Sequence, residues 1–515
     1  MIFKKKFVRD TITLTGMQLL LDTLSLLMNV YITRRIGPSA TGILSLMGSF
    51  LGLAGIISNG NAFLCTSRLI SEESGKPCGY PEGILGHGIK LCLLLSTVVS
   101  AAVVLLAEPI SIRFFSGANM TSAIRLMPFA LVTGAVSSCF KGYFNAVRRA
   151  AVTASGDIAE FLTRNAVIVC VTMFCSISDE ERICSVMISG IIAGNVFSLL
   201  FFFLLYIGMR KKKMGKCSLS FRQYTLCSFP IMGGSILTAV LSSTNDALVP
   251  VCLRQYGDSA GEALASFGIF EAIVIPAIFF PSVVLCSVSG IIVSEAARAR
   301  AGRNELRIRY IAEHVKDGAL IFSVLSAAVL MRFGGRIGQL LGGGEIAGDM
   351  ITMIAPVVPF IYMEIVFEAI IKGMGEQSFS AANYLAEYVI RISLVLIFVP
   401  QIGLYGVILS YYASNIYGNC MRFGKIIRIS GAHADILHSV LLPIIYAILS
   451  MVGCELAARF FCIETAKIPV MVVYVSAWTI FYAILNVFLG KLRLFDKTGE
   501  EYFVNNAQQT VSRVL

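Results

Sequence analysis

Long apolar runs recur along the whole chain and are separated by short polar segments, as in VIVCVTMF at Val167–Phe174. About 20 apolar residues in a helix cross the ~30 Å hydrocarbon core of a bilayer. Backbone groups in lipid must be satisfied within the segment, and barrel strands would alternate polar and apolar residues, so helices are expected. The composition agrees, because 56% of the residues are hydrophobic and only 14% are charged. The sequence predicts an all-α integral membrane protein.

We predict about fourteen transmembrane helices from the lengths of these runs. Their approximate limits are 11–33, 40–67, 84–107, 122–146, 154–176, 184–209, 224–252, 262–293, 310–332, 348–371, 380–399, 402–424, 436–460 and 468–490.

Lys and Arg residues concentrate in alternate loops between these spans. The N-terminal KKK (Lys4–Lys6) and the loop RKKKMGK (Arg210–Lys216) fall on one side, which the positive-inside rule assigns to the cytoplasm. An even number of spans then places both termini in the cytoplasm, and we expect the protein in the cytoplasmic (plasma) membrane. The net charge of +11 does not indicate a nucleic-acid partner, because the basic residues are dispersed between apolar runs.

Two parts of the chain resemble each other. GPSATGILSLMGSF (Gly37–Phe50) matches GDSAGEALASFGIF (Gly257–Phe270), and AEFLTRNAVIV (Ala159–Val169) matches AEYVIRISLVL (Ala386–Leu396). A repeat of six spans keeps both copies in the same orientation and predicts a pseudo-two-fold axis along the membrane normal. We therefore predict an N-terminal six-helix bundle at 1–215, a second bundle at 216–430, and two extra helices with a cytoplasmic tail at 431–515.

The acidic residues inside the predicted spans are candidates for binding a coupling cation, because ionisable groups within a membrane usually face a cavity or a partner. Glu364 and Glu368 are four residues apart and share a helix face, which suits a proton or Na⁺ site. The alternative is that they reach the interface or hydrogen-bond a neighbouring helix. The full set of candidates is Asp22, Asp246, Glu271, Glu364 and Glu368.

An acid–base pair is repeated near the start of two matching spans. Glu160 and Arg164 are at positions i and i+4, with the acid first, and Glu387 and Arg391 repeat the arrangement. This order favours a helix ion pair. Each pair either locks its helix to a neighbour or meets the substrate, and the sequence leaves both open.

Helix breakers occupy related positions in the two halves. Asn59–Asn61 interrupts the second span, Pro276 and Pro281 interrupt the eighth, and Pro128 and Pro359 lie in the fourth and tenth. Broken spans at corresponding positions indicate a transport site, although ordinary kinks give the same pattern.

Enzyme chemistry finds no support in the sequence. The four histidines have no metal-ligand spacing, the 14 cysteines include no CxxC pair, and LGGGE (Leu341–Glu345) lacks the Lys-Ser/Thr of a phosphate loop. We therefore expect a protein that is not an enzyme, and no cofactor or resident metal beyond a coupling Na⁺ or H⁺.

Three motifs resemble bacterial polysaccharide flippases. They are YITRRIGPSATGILSLM (Tyr31–Met47), SRLISEESGK (Ser67–Lys76), and KGYFNAVRRA (Lys141–Ala150) followed by AEFLTR. The chain is similar over its whole length to the multidrug/oligosaccharidyl-lipid/polysaccharide (MOP) exporter superfamily, in its stage V sporulation protein B-like branch. The resemblance implies two six-helix bundles that form a V around a central cavity, as in MATE transporters, and alternating access.

The resemblance also implies a substrate. Relatives of this branch flip undecaprenyl-pyrophosphate-linked sugars, and lipid II flippases carry several arginines in their first, second and eighth helices. This sequence departs from that pattern, since its first helix offers Asp22 and Asn29, its second ends in Arg68, and its eighth carries Glu271.

The leading hypothesis is a flippase for a lipid-linked oligosaccharide or peptidoglycan precursor in spore or cell envelope synthesis. Its partners are then the lipid-linked glycan and membrane lipids, and the protein acts as a monomer or beside envelope-synthesis enzymes. The alternatives are a cation-coupled multidrug exporter on the same scaffold and a non-transporting membrane scaffold. The predicted head-group residues are Arg68, Lys141, Arg164, Lys372 and Arg391, with Asn29, Asn59, Asn61 and Asn245 as sugar-binding amides.

Overall fold

The computed structural model describes residues 2–74, 80–115, 120–147, 149–174, 180–209, 219–431, 440–460 and 468–488. Within these ranges the chain is helical and forms no β-strand. The helices are α1 (Ile2–Ile36), α2 (Pro38–Asn59), α3 (Ala62–Ser74), α4 (Pro81–Leu105), α5 (Ala107–Phe114), α6 (Thr121–Ala146), α7 (Ala150–Phe174), α8 (Glu180–Met209), α9 (Phe221–Tyr256), α10 (Ala260–Ile269), α11 (Ile275–Phe279), α12 (Val283–Ala301), α13 (Glu305–Leu340), α14 (Gly344–Ile354), α15 (Val358–Gly373), α16 (Gln377–Ile402), α17 (Leu404–Ser430), α18 (Leu442–Phe460) and α19 (Ile468–Phe488).

Eleven helical segments among the described residues are long and apolar enough to cross a membrane. Each of the fourteen predicted spans overlaps described helix, so the prediction of about fourteen is consistent with the structure. The three long helices outside the group of eleven are α1, α7 and α17. Charge explains α7, which contains Asp157, Glu160 and Arg164 within two turns. The apolar part of α17 is instead rich in tyrosine, asparagine and serine, which lower its hydropathy.

Two of the predicted helix breaks are confirmed. Gly60 and Asn61 take φ values of 55° and 54° between α2 and α3. Glu271 lies in a π-helical turn, Phe270–Val274, between α10 and α11, and a 3₁₀ turn at Phe280–Ser282 precedes α12.

The two matching prolines behave differently from each other. Pro359 follows a 3₁₀ turn, Ala355–Val357, between α14 and α15. Pro128 instead lies inside the continuous helix α6, which agrees with the alternative of an ordinary kink and not with a broken span. Neighbouring helices in a membrane protein can satisfy the carbonyl that proline frees.

By packing, the described residues form two compact units. Unit 1 comprises the described residues within Met1–Ser287, Gly334–Ile354 and Ala381–Gly418, and unit 2 comprises those within Val288–Phe333, Ala355–Ser380 and Asn419–Leu515. The division into bundles at 1–215, 216–430 and 431–515 stays a prediction.

In unit 1 the two copies of the repeated motif pack directly on each other. A Cβ atom on Gly42 of α2 would collide with the carbonyl oxygen of Leu264 in α10. A Cβ atom on Gly268 would lie 2.6 Å from the carbonyl oxygen of Pro38. The two helices approach this closely because glycine stands at both contact points.

Candidate functional site

Unit 1 contains a group of polar side chains inside its membrane-spanning helices. We call Ser49, Asn245, Asp246, Glu271, Arg391, Tyr411 and Ser414 the polar cluster. They come from α2, α9, the π-helical turn, α16 and α17. Ionisable residues at such depth are rare and mark ion or substrate paths.

The π-helical turn has a local cause and a consequence for Glu271. Pro276 has no amide hydrogen to donate to the preceding turn. The backbone N–H of Ile275 reaches Phe270, five residues back, instead of the residue four back. The extra residue changes the direction in which Glu271 projects, and π-bulges of this kind are frequent at functional sites.

Asp246 is held by neutral donors. Its Oδ2 accepts a hydrogen bond from the Ser49 hydroxyl at 2.7 Å, and its Oδ1 accepts one from the Asn245 amide at 3.4 Å. The carbonyl oxygen of the Asn245 side chain is buried without a hydrogen-bond partner among the described residues. A buried acceptor of this kind is costly unless a donor or a cation reaches it.

Arg391 supplies the positive charge of the cluster. Its Nε donates to the Ser414 hydroxyl at 3.0 Å, and its guanidinium carbon lies 4.3 Å from the centre of the Tyr411 ring. It interacts electrostatically with both Asp246 and Glu271. When both acids are ionised, the cluster carries one more negative charge than positive charge.

The repeated acid–base pairs are used in different ways. The Nζ atom of Lys141 in α6 lies 2.9 Å from a carboxylate oxygen of Glu160 and 2.7 Å from one of Asp157, both in α7. Lys141 therefore links α6 to α7 by two ion pairs. The Arg164 guanidinium lies 5.3 Å from the centre of the Phe161 ring. In the second pair, Glu387 is buried against Gly418 while Arg391 faces the polar cluster.

Glu364 and Glu368 share a fully buried arginine in unit 2. Arg422 has no exposed side-chain surface, and its nitrogens lie 3.3 Å from Glu364 and 2.8 Å from Glu368. Ser380 and Lys372 also contact Glu368. These carboxylates therefore have a resident counter-charge, which weakens the case for a coupling cation at this pair.

The other predicted residues lie apart from the polar cluster. The Asn59 oxygen accepts from the backbone N–H of Asn61 at 2.8 Å, so both asparagines support the break between α2 and α3. Asp22 accepts from Gln18, and Arg68 pairs with Glu72. Asn29 is half-buried in α1.

Sequence reasoning selected four members of the polar cluster and missed the rest. Ser49, Tyr411 and Ser414 are residue types that are common in membrane helices, so only their neighbours distinguish them. Arg422 lies at the end of a predicted span, where it resembles a topology anchor. A metal cluster of three or more His, Cys, Asp or Glu side chains does not occur among the described residues.

Unit 2 also contains an apolar cavity of about 680 Å³ between α13, α15, α17, α18 and α19. Its lining includes Leu320, Val324, Met363, Phe367, Ile444 and Trp478. The Trp478 indole N–H donates to the Ser450 hydroxyl at 2.9 Å, so the only tryptophan of the chain closes one wall without an unpaired polar group.

Solved structures of membrane transporters share this fold. The lipid II flippase MurJ in an inward closed conformation aligns with a TM-score of 0.68 at 15% identity, covering 93% of this chain and 98% of that one. An inward-facing multidrug resistance MATE family transporter of the MOP superfamily aligns with a TM-score of 0.58 at 16% identity, covering 80% and 96%.

Sequence comparisons agree with the fold. Stage V sporulation protein B of Bacillus subtilis (strain 168) is 21% identical over 426 residues, which cover 79% of this chain and 81% of that protein. The family model for polysaccharide biosynthesis proteins matches residues 7–292. The resemblance predicted from the motifs is thereby confirmed. The chain is a multi-pass membrane protein that belongs to the polysaccharide biosynthesis protein family.

Proposed function

We propose that the protein flips a lipid-linked oligosaccharide or peptidoglycan precursor across the cytoplasmic membrane by alternating access. The observation that carries the proposal is a charged polar cluster within the spans of a polysaccharide biosynthesis family member. The likeness to a lipid II flippase supports a lipid-linked substrate. Transport of this kind moves a molecule without changing its bonds, so the protein is proposed to be a transporter and not an enzyme.

The polar cluster is the proposed coupling site. Asp246 and Glu271 exceed Arg391 by one negative charge, and an uncompensated charge is expensive within a membrane. One monovalent cation, Na⁺ or H⁺, balances the cluster, and the free oxygen of Asn245 offers it a further acceptor. Among the five sequence candidates for coupling, the contacts favour Asp246 and Glu271.

The pyrophosphate would load through the more exposed basic residues. The side chains of Arg68 and Lys372 are 65% and 49% exposed, and each has a single acidic partner four residues away. A pyrophosphate offers such groups stronger charge-assisted hydrogen bonds than one carboxylate does. Lys141 is held by two acids, so we give it a structural role. The positive-inside rule places these groups, like both termini, on the cytoplasmic side.

The apolar cavity of unit 2 is the proposed place for part of the polyprenyl chain. Its lining is formed largely by aliphatic and aromatic side chains, so a polyprenyl chain can exchange the equally apolar lipid for this surface and is held there by van der Waals packing. Sugars need hydrogen bonds instead, so the lipid and the head group of the substrate require separate surfaces.

The test is transport of a fluorescent polyprenyl-pyrophosphate disaccharide in proteoliposomes. Asp246→Asn removes the charge that the coupling cation balances, and we expect the rate to fall at least about tenfold, the scale of a 1.4 kcal/mol change. Asp258→Asn is the matched control, because Asp258 lies in the loop between α9 and α10. Normal transport by the Asp246 variant would contradict the proposed site.

A multidrug exporter is the second candidate, favoured by the likeness to a MATE family transporter and by the acidic excess of the polar cluster. It predicts that the same proteoliposomes extrude cationic dyes in a Na⁺ or H⁺ gradient. Dye efflux without flipping of the lipid-linked sugar would favour this candidate. Absence of both activities in the wild type, with normal envelope assembly in cells that carry the Asp246 variant, would favour the non-transporting scaffold.

A further inference from the structure

Four of the helix ends that the structure describes form the same hydrogen-bonded turn. At each end the backbone N–H of one residue reaches three residues back, and the next N–H reaches five residues back. This arrangement places one residue in the left-handed region. That residue is Gly257 after α9, Gly342 after α13, Gly375 after α15, and Arg303 after α12.

Arg303 is the exception among the four. Its φ is 49°, where a side chain with a Cβ atom is strained and glycine is not. Gly302 stands one residue too early to relieve the strain, since its own φ is not positive. A glycine at 303 would make the same turn more easily, so the fold does not require arginine there. Strain that is retained at a non-glycine residue indicates a functional side chain.

Arg303 is exposed, and it follows other exposed arginines in the chain. Arg298 and Arg300 are exposed, and Arg298 shares Glu295 with Arg307. Glu376 is shared by Arg300 and Lys425, at 3.7 Å and 2.9 Å. Glu295 and Glu376 are thus each divided between two bases, and Glu305 begins α13 two residues after Arg303. Arg303 forms no ion pair with a described residue. The turn presents an excess of positive charge.

The position of the turn indicates what this charge meets. It joins two candidate membrane spans, Ala260–Arg300 and Glu305–Leu340, and only 301–304 lie between them. The arginines around the turn, from Arg298 to Arg309, thus lie between the apolar parts of the two segments, on the side that the positive-inside rule assigns to the cytoplasm. Guanidinium groups bind phosphate through paired hydrogen bonds, and basic residues beside spans attract anionic lipids.

We propose that Arg303, together with Arg298 and Arg300, binds the phosphate of an anionic glycerophospholipid at the membrane surface. This inference does not depend on what the protein transports. It assigns a lipid-binding role to a surface that lies outside the polar cluster and outside the apolar cavity.

The experiment compares the full chain in nanodiscs of phosphatidylcholine with nanodiscs that also contain phosphatidylglycerol. Arg303→Gly and Arg303→Asn relieve the strain and remove the charge, whereas Arg303→Lys keeps both. In neutral lipid we expect the glycine variant to melt higher than the wild type. Phosphatidylglycerol should raise the melting temperature of the wild type and the lysine variant by about 2 °C, but not that of the glycine and asparagine variants.

The matched control is Arg254→Gln, which removes a charge from the last turn of α9 beside another of these helix ends. It should keep the full response to phosphatidylglycerol. Equal responses in all variants would overturn the proposal, and so would a glycine variant that melts no higher in neutral lipid. A response that inorganic phosphate reproduces in neutral nanodiscs would assign the site to free phosphate and would also overturn it.

Discussion

Lysines at matching positions of the repeat have different partners. Lys141 reaches across to Asp157 and Glu160 on the next helix, whereas Lys372 pairs with Glu368 one turn earlier on its own helix. The sequence identified both lysines, but the partner of a long side chain depends on which helix lies beside it. For the same reason the i, i+4 spacing of Glu160 and Arg164 did not reveal Lys141 as a partner of Glu160.

Replacing Arg422 should destabilise unit 2 more than the loss of an exposed ion pair would. Arg422→Met leaves Glu364 without its base and Glu368 with only the half-exposed Lys372, and breaking a buried pair costs about 3–5 kcal/mol. We expect a clear drop in the melting temperature of the purified protein. The triple variant Arg422→Met, Glu364→Gln, Glu368→Gln should recover part of this loss, because no unpaired charge stays buried.

The control for this prediction is Arg68→Met, which removes an exposed i, i+4 pair worth about 0–1 kcal/mol. If both single variants lose the same stability, the buried network contributes no more than a surface pair and the explanation is wrong.

Among the elements, the broken helices were the most predictable. The Asn-Gly-Asn stretch at Asn59–Asn61 and the prolines at 276 and 281 identified the two interrupted spans, and the structure has breaks at both. Pro128 shows the limit of this reasoning. In a water-soluble protein, a proline usually ends or kinks a helix. Within packed membrane helices, groups on neighbouring helices can satisfy the carbonyl that proline frees, and the sequence alone does not show which helices are neighbours.

The crossing of α2 and α10 should be intolerant of any added side chain. Gly42→Ala puts a methyl group where the Leu264 carbonyl oxygen lies, and overpacking of this kind costs about 1–3 kcal/mol. We expect the two helices to separate and transport to fall severalfold in the proteoliposome assay, with the protein still inserted in the membrane.

Gly48→Ala is the matched control, since Gly48 belongs to the same motif and helix but has open space around it. Its transport rate should equal that of the wild type. Equal losses in the two variants would mean that helix propensity, and not the close crossing, determines the result.

At the scale of the whole molecule, the hydrophobic pattern was sufficient for the fold class and the approximate number of spans. Periodicity and length decide whether a segment crosses a membrane, and both are local properties. The polar cluster was only partly predictable, because Asp246, Glu271 and Arg391 are far apart in the chain and meet through packing. The sequence selected each of them for its charge but assigned Arg391 to the substrate head group and the acids to a cation.

The charge balance of the polar cluster has an electrical consequence. With its cation bound the cluster is neutral, and without it the cluster carries one negative charge, so the membrane potential acts mainly on the empty form. Moving one elementary charge across 100 mV is worth about 2.3 kcal/mol. We expect the flipping rate in proteoliposomes to change with an imposed potential, and Arg391→Gln, which leaves two negative charges, to steepen that dependence. A flipping rate that does not change with voltage in the wild type or in the Arg391→Gln variant would contradict this charge balance. The net charge of Asp246, Glu271 and Arg391 would thus make the rate of transport depend on the membrane potential that the cell maintains.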